Sequence, residues 1–150
     1  MKNEFQKLIK SFAFAYEGIT HCIKHERNFR IHLVAVLYVV FFSCLAVVNL
    51  TEFAILMLCI SQVLSCELIN TAIENLCNKD GFEFNSFIKT TKDVSASAVL
   101  VSAIACVIIG IAIFAPKTQI IIQNFTLINI CIIAMITPIC ILFIFKGENK

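Results

Sequence analysis

The segment Glu67-Leu-Ile-Asn70-Thr71-Ala-Ile-Glu74 decides how this chain folds. It lies inside an apolar run that reaches the roughly 20 residues a bilayer-crossing helix needs. As a helix it sets Glu67, Asn70 and Glu74 at i, i+3 and i+7, on one stripe. The two carboxylates then lie about 10 Å apart along the axis. A carboxylate inside a membrane span costs roughly 2.5–3.5 kcal/mol on insertion scales, so it is expected to face a bundle interior and to serve a function. The alternative is a structural stripe that only holds helices together.

The surroundings agree with a membrane setting. Of 150 residues, 59% are hydrophobic and 15% are charged, and the mean hydropathy is +0.90. That apolar content exceeds what a soluble domain carries, and the charges gather between the apolar runs. The expectation is an all-α integral membrane protein in a single domain, residues 1–150. The N-terminal stretch has neither a compact apolar core nor a small-residue cleavage site, so no secretory signal peptide is expected. The eight cysteines show no C-x-x-C and no zinc spacing, and most sit in apolar runs as small hydrophobes. Neither a disulfide framework nor a cysteine-bound metal is expected, and no nucleic-acid partner.

Outward from the segment, the chain divides into an amphipathic surface helix (1–30), a three-span core (31–114) and an extra C-terminal span with a tail (115–150). In residues 2–24, Phe5, Leu8, Ile9, Phe12, Tyr16, Ile19 and Ile23 recur at helical spacing. Lys7, Lys10, Glu17, His21 and Lys24 take the other side, as suits a helix in the membrane interface. Span one is expected from Ile31 to Leu50 and span two from Phe53 to Leu76. A polar loop runs from Asn78 to Lys92, with Phe82, Phe84, Phe87 and Ile88 dipping into the interface. Span three is expected to start at Asp93, a candidate N-cap, and to end near Phe114. Pro116 and Lys117 mark a turn. A fourth run, Ile120 to Phe145, has no ionisable residue and one internal proline, Pro138, expected to kink it. Ala98, Ser102, Cys106 and Gly110 repeat every four residues and predict a small-residue packing face.

Basic residues orient these spans. Lys2, Lys7, Lys10, Lys24, Arg27 and Arg30 precede span one; Lys79, Lys89 and Lys92 lie between spans two and three; Lys146 and Lys150 follow span four. Four spans put all of them on one side and leave Lys117 alone on the other. Both termini and the 77–92 loop are therefore expected in the cytoplasm.

That topology delivers Glu26, Glu74, Lys92 and Asp93 to one membrane level, with Glu67 two turns deeper. The set suits phosphoryl transfer, which needs positioning and charge neutralisation. Glu26 and Glu74 are candidate Mg²⁺ ligands, since that ion takes one or two carboxylates and keeps phosphate oxygens as partners. Lys92 is a candidate phosphate contact, and Glu67 a candidate general base toward a lipid hydroxyl. Each has a plainer alternative: Lys92 snorkels, Asp93 caps a helix, Glu26 is a solvated charge, His32 is an interfacial hydrogen-bonding residue. No Walker loop and no protein-kinase signature is present.

Two pairs of segments resemble a known family. Glu67-Leu-Ile-Asn70-Thr-Ala-Ile-Glu74 and Lys92-Asp93-Val-Ser-Ala-Ser-Ala-Val are similar to the signature segments of the prokaryotic diacylglycerol kinase family. Ser11-Phe-Ala-Phe-Ala-Tyr16-Glu-Gly18-Ile and Glu26-Arg-Asn28-Phe-Arg30-Ile-His32 resemble its N-terminal segments. The resemblance covers roughly residues 5–114. It implies a small kinase of the bacterial cytoplasmic membrane that uses Mg-ATP and forms homotrimers with composite sites. By resemblance Glu67 is the catalytic base, Glu26 and Glu74 are metal ligands, and Tyr16, Asn70, Glu74, Lys92 and Asp93 are nucleotide- or phosphate-side contacts. Arg30-Ile-His32 is similar to the branch that phosphorylates undecaprenol; the diacylglycerol-specific branch tends to carry Glu in place of His32. Two departures stand out. Asn78 occupies a position where the family usually has Asp, and the fourth apolar run exceeds the family's three-span plan. Outside the kinases, the buried stripe would also suit a small ion carrier or a subunit with a decayed site.

Overall fold

The computed structural model describes residues 2–79 and 86–146. Among them there is no strand. The elements are α1 (Lys2–His25), α2 (Arg27–Leu45), α3 (Leu50–Lys79), α4 (Ser86–Phe114), a 3₁₀ turn (Ala115–Lys117), α5 (Thr118–Asn124) and α6 (Leu127–Phe145). Four helical segments are long and apolar enough to cross a membrane. The all-α membrane architecture is thus as expected.

The closest pairing is α3 with α4. Polar atoms stitch it inside the apolar surface: Cys66 Sγ lies 3.3 Å from Ser102 Oγ, and Cys106 Sγ donates to the Cys59 carbonyl at 3.1 Å. Such small polar residues let helices approach where no solvent drives them together. The four-residue packing face is only half realised. Ser102 and Cys106 bond to α3, but Ala98 is exposed. At Gly110 an added Cβ would meet nothing within 4 Å. The register turned toward α3 is instead Ser95, Val99, Ser102 and Cys106, the first two buried and the last two half-buried.

Helix α2 packs on α3 and also on α5 and α6; α1 packs on α2 and α3. Contact comes through the end of α1, where Cys22 is buried. The rest of its apolar stripe, Phe5, Leu8, Ile9, Phe12 and Tyr16, is exposed, as an interface helix requires.

Several boundaries differ from expectation. Helix α2 begins one turn before Ile31 and stops at Leu45 in a Schellman motif. The Val47 N–H donates to the Cys44 carbonyl at 3.4 Å and the Val48 N–H to the Ser43 carbonyl at 3.2 Å. Val47 takes the left-handed position, φ 48°, which glycine usually fills and a β-branched residue enters only under strain. Helix α3 then starts three residues before Phe53 with a reciprocal cap. The Asn49 N–H donates to Glu52 Oε2 at 2.8 Å, and the Glu52 N–H to Asn49 Oδ1 at 2.9 Å. Lys117 Nζ lies 3.0 Å from the same Glu52 oxygen, which ties this turn to the one after α4.

Asp93 is not the N-cap of the third span. It sits two turns inside α4, because residues 86–92 are helical rather than loop. The Thr90 and Thr91 hydroxyls bond back to the Ser86 and Phe87 carbonyls at 2.9 Å, so the helix continues past the apolar boundary. Phe87 and Ile88 belong to this helix; Phe82 and Phe84 lie outside the described residues.

The fourth apolar run is two helices, not one. It breaks at Phe125, whose backbone is extended, while Asn124 Nδ2 bonds the Leu45 carbonyl at 2.8 Å. A polar side chain spent on the end of α2 marks the corner. Helix α6 is continuous through Pro138. Beside it the Thr137 hydroxyl meets Tyr38 Oη at 2.8 Å, joining α6 to α2.

Candidate functional site

The buried face of α3 runs Leu56, Val63, Glu67, Asn70, Thr71. It begins apolar and becomes polar toward the end that carries Glu74. Glu67 is 2% exposed, yet its carboxylate has no hydrogen-bond or ion-pair partner among the described residues. A buried carboxylate without a partner is expensive, so the site is built for something that arrives.

Two further acids stand within electrostatic reach of it, Glu26 and Glu74. Glu26 occupies the N-cap of α2, between α1 and α2, but makes no side-chain capping bond. Its carboxylate is left for the site. Glu74 is held through Asn70: Asn70 Nδ2 donates to Glu74 Oε1 at 3.2 Å, and the Ser95 hydroxyl donates to Asn70 Oδ1 at 2.7 Å. The Ser95 proton is shared with the Lys92 carbonyl at 2.9 Å. The chain Ser95–Asn70–Glu74 thus fixes the amide flip of Asn70 and aims Glu74 from the facing helix.

Lys92 reaches across the same helix pair and donates to Asn78 Oδ1 at 2.6 Å. The departure at Asn78 has a consequence here. A neutral amide leaves the lysine charge uncompensated, where a carboxylate would have neutralised it. The structure therefore gathers Glu26, Glu67, Asn70, Glu74 and Lys92 at one end of the bundle. Asp93 is exposed, and Tyr16 is 71% exposed on α1; neither is hydrogen-bonded to this cluster.

Among the described residues no three or more His, Cys, Asp or Glu side chains form a group able to hold a metal by themselves. The donor set still fits Mg²⁺. Among the described residues no cation pairs with Glu26 or Glu74, whose hard anionic oxygens are left for an ion, and the buried Thr71 Oγ1 has no hydrogen-bond partner. Mg²⁺ is usually held by one or two carboxylates, with water and substrate phosphates completing the octahedron.

An apolar cavity of about 490 Å³ lies between α2, α3 and α4. Its α3 wall is Ile60, Val63 and Leu64, and Glu67 is the next position on that stripe. His32 stands on the α2 wall, and Gly110 and Phe114 on the α4 wall.

Three residues have placements that the sequence did not reveal. Ser95 holds Asn70, Thr71 lies buried beside Glu67, and Arg30 is 3% exposed. Arg30 Nε donates to the Ile144 carbonyl at 2.9 Å, and Nη1 to the Ile23 and Lys24 carbonyls at 3.1 and 3.2 Å. It thereby satisfies last-turn carbonyls of both α1 and α6. Arg27 adds its guanidinium 4.6 Å from the Phe145 ring centre, a cation–π contact. The available signal was an arginine one turn into an apolar span, where a charge must be satisfied internally.

The family model described as prokaryotic diacylglycerol kinase matches residues 13–114. The undecaprenol kinase of Bacillus subtilis is 37% identical over 116 residues, covering 77% of this chain and 94% of that protein. A diacylglycerol kinase of Synechocystis is 34% identical over 119 residues, 77% of this chain and 68% of that protein. The diacylglycerol kinase of Escherichia coli K12 is 30% identical over 104 residues, 69% and 85% respectively. No solved structure gives a significant match. The match spans α2, α3 and α4 and includes Glu26, Glu67, Asn70, Glu74 and Lys92, and the chain belongs to the prokaryotic diacylglycerol kinase family, as a membrane lipid kinase.

Proposed function

We propose that this kinase transfers the γ-phosphoryl group of ATP to the hydroxyl of a membrane polyprenol, undecaprenol in particular. The observation that carries it is the placement of Glu67: buried, without a hydrogen-bond partner among the described residues, and one helical turn beyond the α3 residues that wall an apolar cavity. The first isoprene units of a polyprenol suit a cavity lined mostly by aliphatic side chains, with the terminal hydroxyl directed along α3 toward Glu67.

Glu67 accepts the hydroxyl proton as the lipid oxygen forms its bond to the γ-phosphorus and the bond to the β–γ bridging oxygen of ATP breaks. Glu26 and Glu74 hold Mg²⁺, which neutralises phosphate charge when bound. Lys92 meets phosphate oxygens as a point charge. Asn70, fixed by Ser95, keeps Glu74 in place. Helix α3 has 30 residues, about 45 Å, against a hydrocarbon core of about 30 Å. Its surplus length carries Glu74 into the headgroup zone while Glu67 stays at the hydrocarbon edge, where a lipid hydroxyl and a water-soluble nucleotide can meet.

The distribution of lysine and arginine supports a multi-pass topology with both termini in the cytoplasm. A homotrimer with composite sites is the assembly that gives Tyr16 and Asp93, exposed in the single chain, a nucleotide to contact. A relative matched over 94% of its length bears the undecaprenol name, which supports that acceptor over diacylglycerol.

The test is transfer from labelled ATP to undecaprenol and to diacylglycerol, in parallel, by the purified full chain. Faster labelling of undecaprenol is expected. Faster labelling of diacylglycerol would assign the other acceptor.

A further inference from the structure

A second cavity, about 300 Å³, opens where α1, α2 and α6 meet; Ile23, Lys24, Arg30, Phe143 and Lys146 line it. Three of the five are cations: Lys24 on α1, Arg30 on α2 and Lys146 at the C-cap of α6. Helix α6 lies outside the residues that the family model matches, so this cavity exists because of the appended span.

Arg30 makes the cavity more than a patch of surface lysines. A guanidinium carries five N–H donors. Nε spends one and Nη1 two on helix-end carbonyls. The two on Nη2 have no partner among the described residues, although the residue is 97% buried by its 3% exposure. The fixed Nε and Nη1 bonds hold the plane of the guanidinium, so Nη2 is a preset anion donor. Lys24 and Lys146 are exposed at the rim.

The cavity is also continuous with an apolar groove. Phe143 and Lys146 line both it and a neighbouring hollow of about 490 Å³ along α6, walled by Ile139, Leu142 and Phe145. Ile139 and Leu142 are 65% and 72% exposed. A phosphate over three cations, with a hydrocarbon chain running away along α6, is the shape of an anionic lipid. Basic pockets between membrane helices on the cytoplasmic side take such headgroups.

The geometry points to a binding site for an anionic phospholipid, its phosphate on Arg30, Lys24 and Lys146 and its acyl chain in the α6 groove. The site is separate from the Glu67 cluster and does not depend on which alcohol the kinase phosphorylates. A lipid bound there fastens α6 to the junction of α1 and α2, which carries Glu26.

The chain has no tryptophan, so Leu142→Trp places a sole reporter in the groove, with Ile139→Trp as a second in case the first perturbs folding. The full chain is reconstituted in vesicles of phosphatidylcholine with brominated phosphatidylglycerol or brominated phosphatidylcholine as quencher. Phosphatidylglycerol is neither acceptor nor product of the proposed reaction. Quenching is expected to favour phosphatidylglycerol by at least about fivefold, the worth of one basic residue at an anionic surface. The preference should fall toward one in the Lys24→Gln, Lys146→Gln double variant. Millimolar inorganic phosphate should leave it unchanged. Equal quenching by both lipids would overturn the proposal, as would a preference that survives the double variant. Loss of the preference in inorganic phosphate would make the ligand a free anion and overturn the lipid assignment.

Discussion

Ser95 donates to Asn70 Oδ1 at 2.7 Å across the α3–α4 interface, from one buried residue to another. This one bond orients an amide that in turn donates to Glu74. Ser95→Ala leaves Asn70 Oδ1 buried and unpaired, at about 1–3 kcal/mol. Turnover is expected to fall roughly tenfold, with saturation shifted to higher Mg²⁺, because outer partners set the aim of a metal ligand. Ser97→Ala is the control: Ser97 is exposed and bonds only the Asp93 carbonyl of its own helix. Equal effects of the two changes, read in an Mg²⁺ titration of activity, would remove Ser95 from the site.

Arg30, in the first turn of α2, joins the ends of α1 and α6 through one guanidinium. Arg30→Lys keeps the charge and loses the fork, so it is not conservative here. The variant is expected to lose about 2–4 kcal/mol of stability, from two or more charge-assisted bonds. Thermal unfolding followed by helical circular dichroism measures it. An unchanged midpoint would show that the ends of α1 and α6 are held by other contacts.

Val47 occupies the left-handed position of a Schellman motif. Val47→Gly relieves a penalty of about 1–2 kcal/mol against the extra entropy a glycine loses on folding, about 0.5–1 kcal/mol. A net gain of up to about 1 kcal/mol is expected, with no change in turnover, since the turn lies at the far end of the bundle from Glu67. A lower unfolding midpoint for this variant would contradict the strain.

Gly110 faces the apolar cavity with nothing within 4 Å of a Cβ. Gly110→Leu therefore directs a side chain, whose Cβ meets no protein atom, into space that the lipid tail is proposed to use. The KM for the lipid should rise roughly 5–10-fold, in line with the 1–3 kcal/mol of an overfilled packing site, while the KM for ATP stays put. A rise in both would mean that the helix pair has moved.

Much of this architecture was legible in the sequence. Apolar runs of bilayer length announced the helices, and the i, i+3, i+7 spacing of Glu67, Asn70 and Glu74 put them on the stripe that the fold buries. What was not legible depended on register and on neighbours. Ser95 and Ser97 are equivalent in hydropathy, and only the rotation of α4 against α3 sends one inward. The start of α4 was missed because Lys89 and Lys92 interrupt the apolar pattern, yet the Thr90 and Thr91 hydroxyls keep the helix intact. The corner at Phe125 was hidden in an apolar run, since Asn124 turns the chain only by meeting the end of a helix nearly 80 positions away. Arg30 looked like one more cytoplasmic charge, because its carbonyl partners come from α1 and α6.

In the proposed mechanism Glu67 removes the proton from the lipid hydroxyl. The most direct measurement is single-turnover phosphorylation by purified Glu67→Gln beside its Mg-ATP affinity. The amide keeps the size of the side chain and removes only the base. Turnover is predicted to fall about 10²–10⁴-fold, the usual worth of general acid–base catalysis, with Mg-ATP affinity unchanged. Near-normal turnover would contradict the claim and leave Glu67 a structural acid; a matching loss of Mg-ATP affinity would contradict it by making Glu67 a metal ligand.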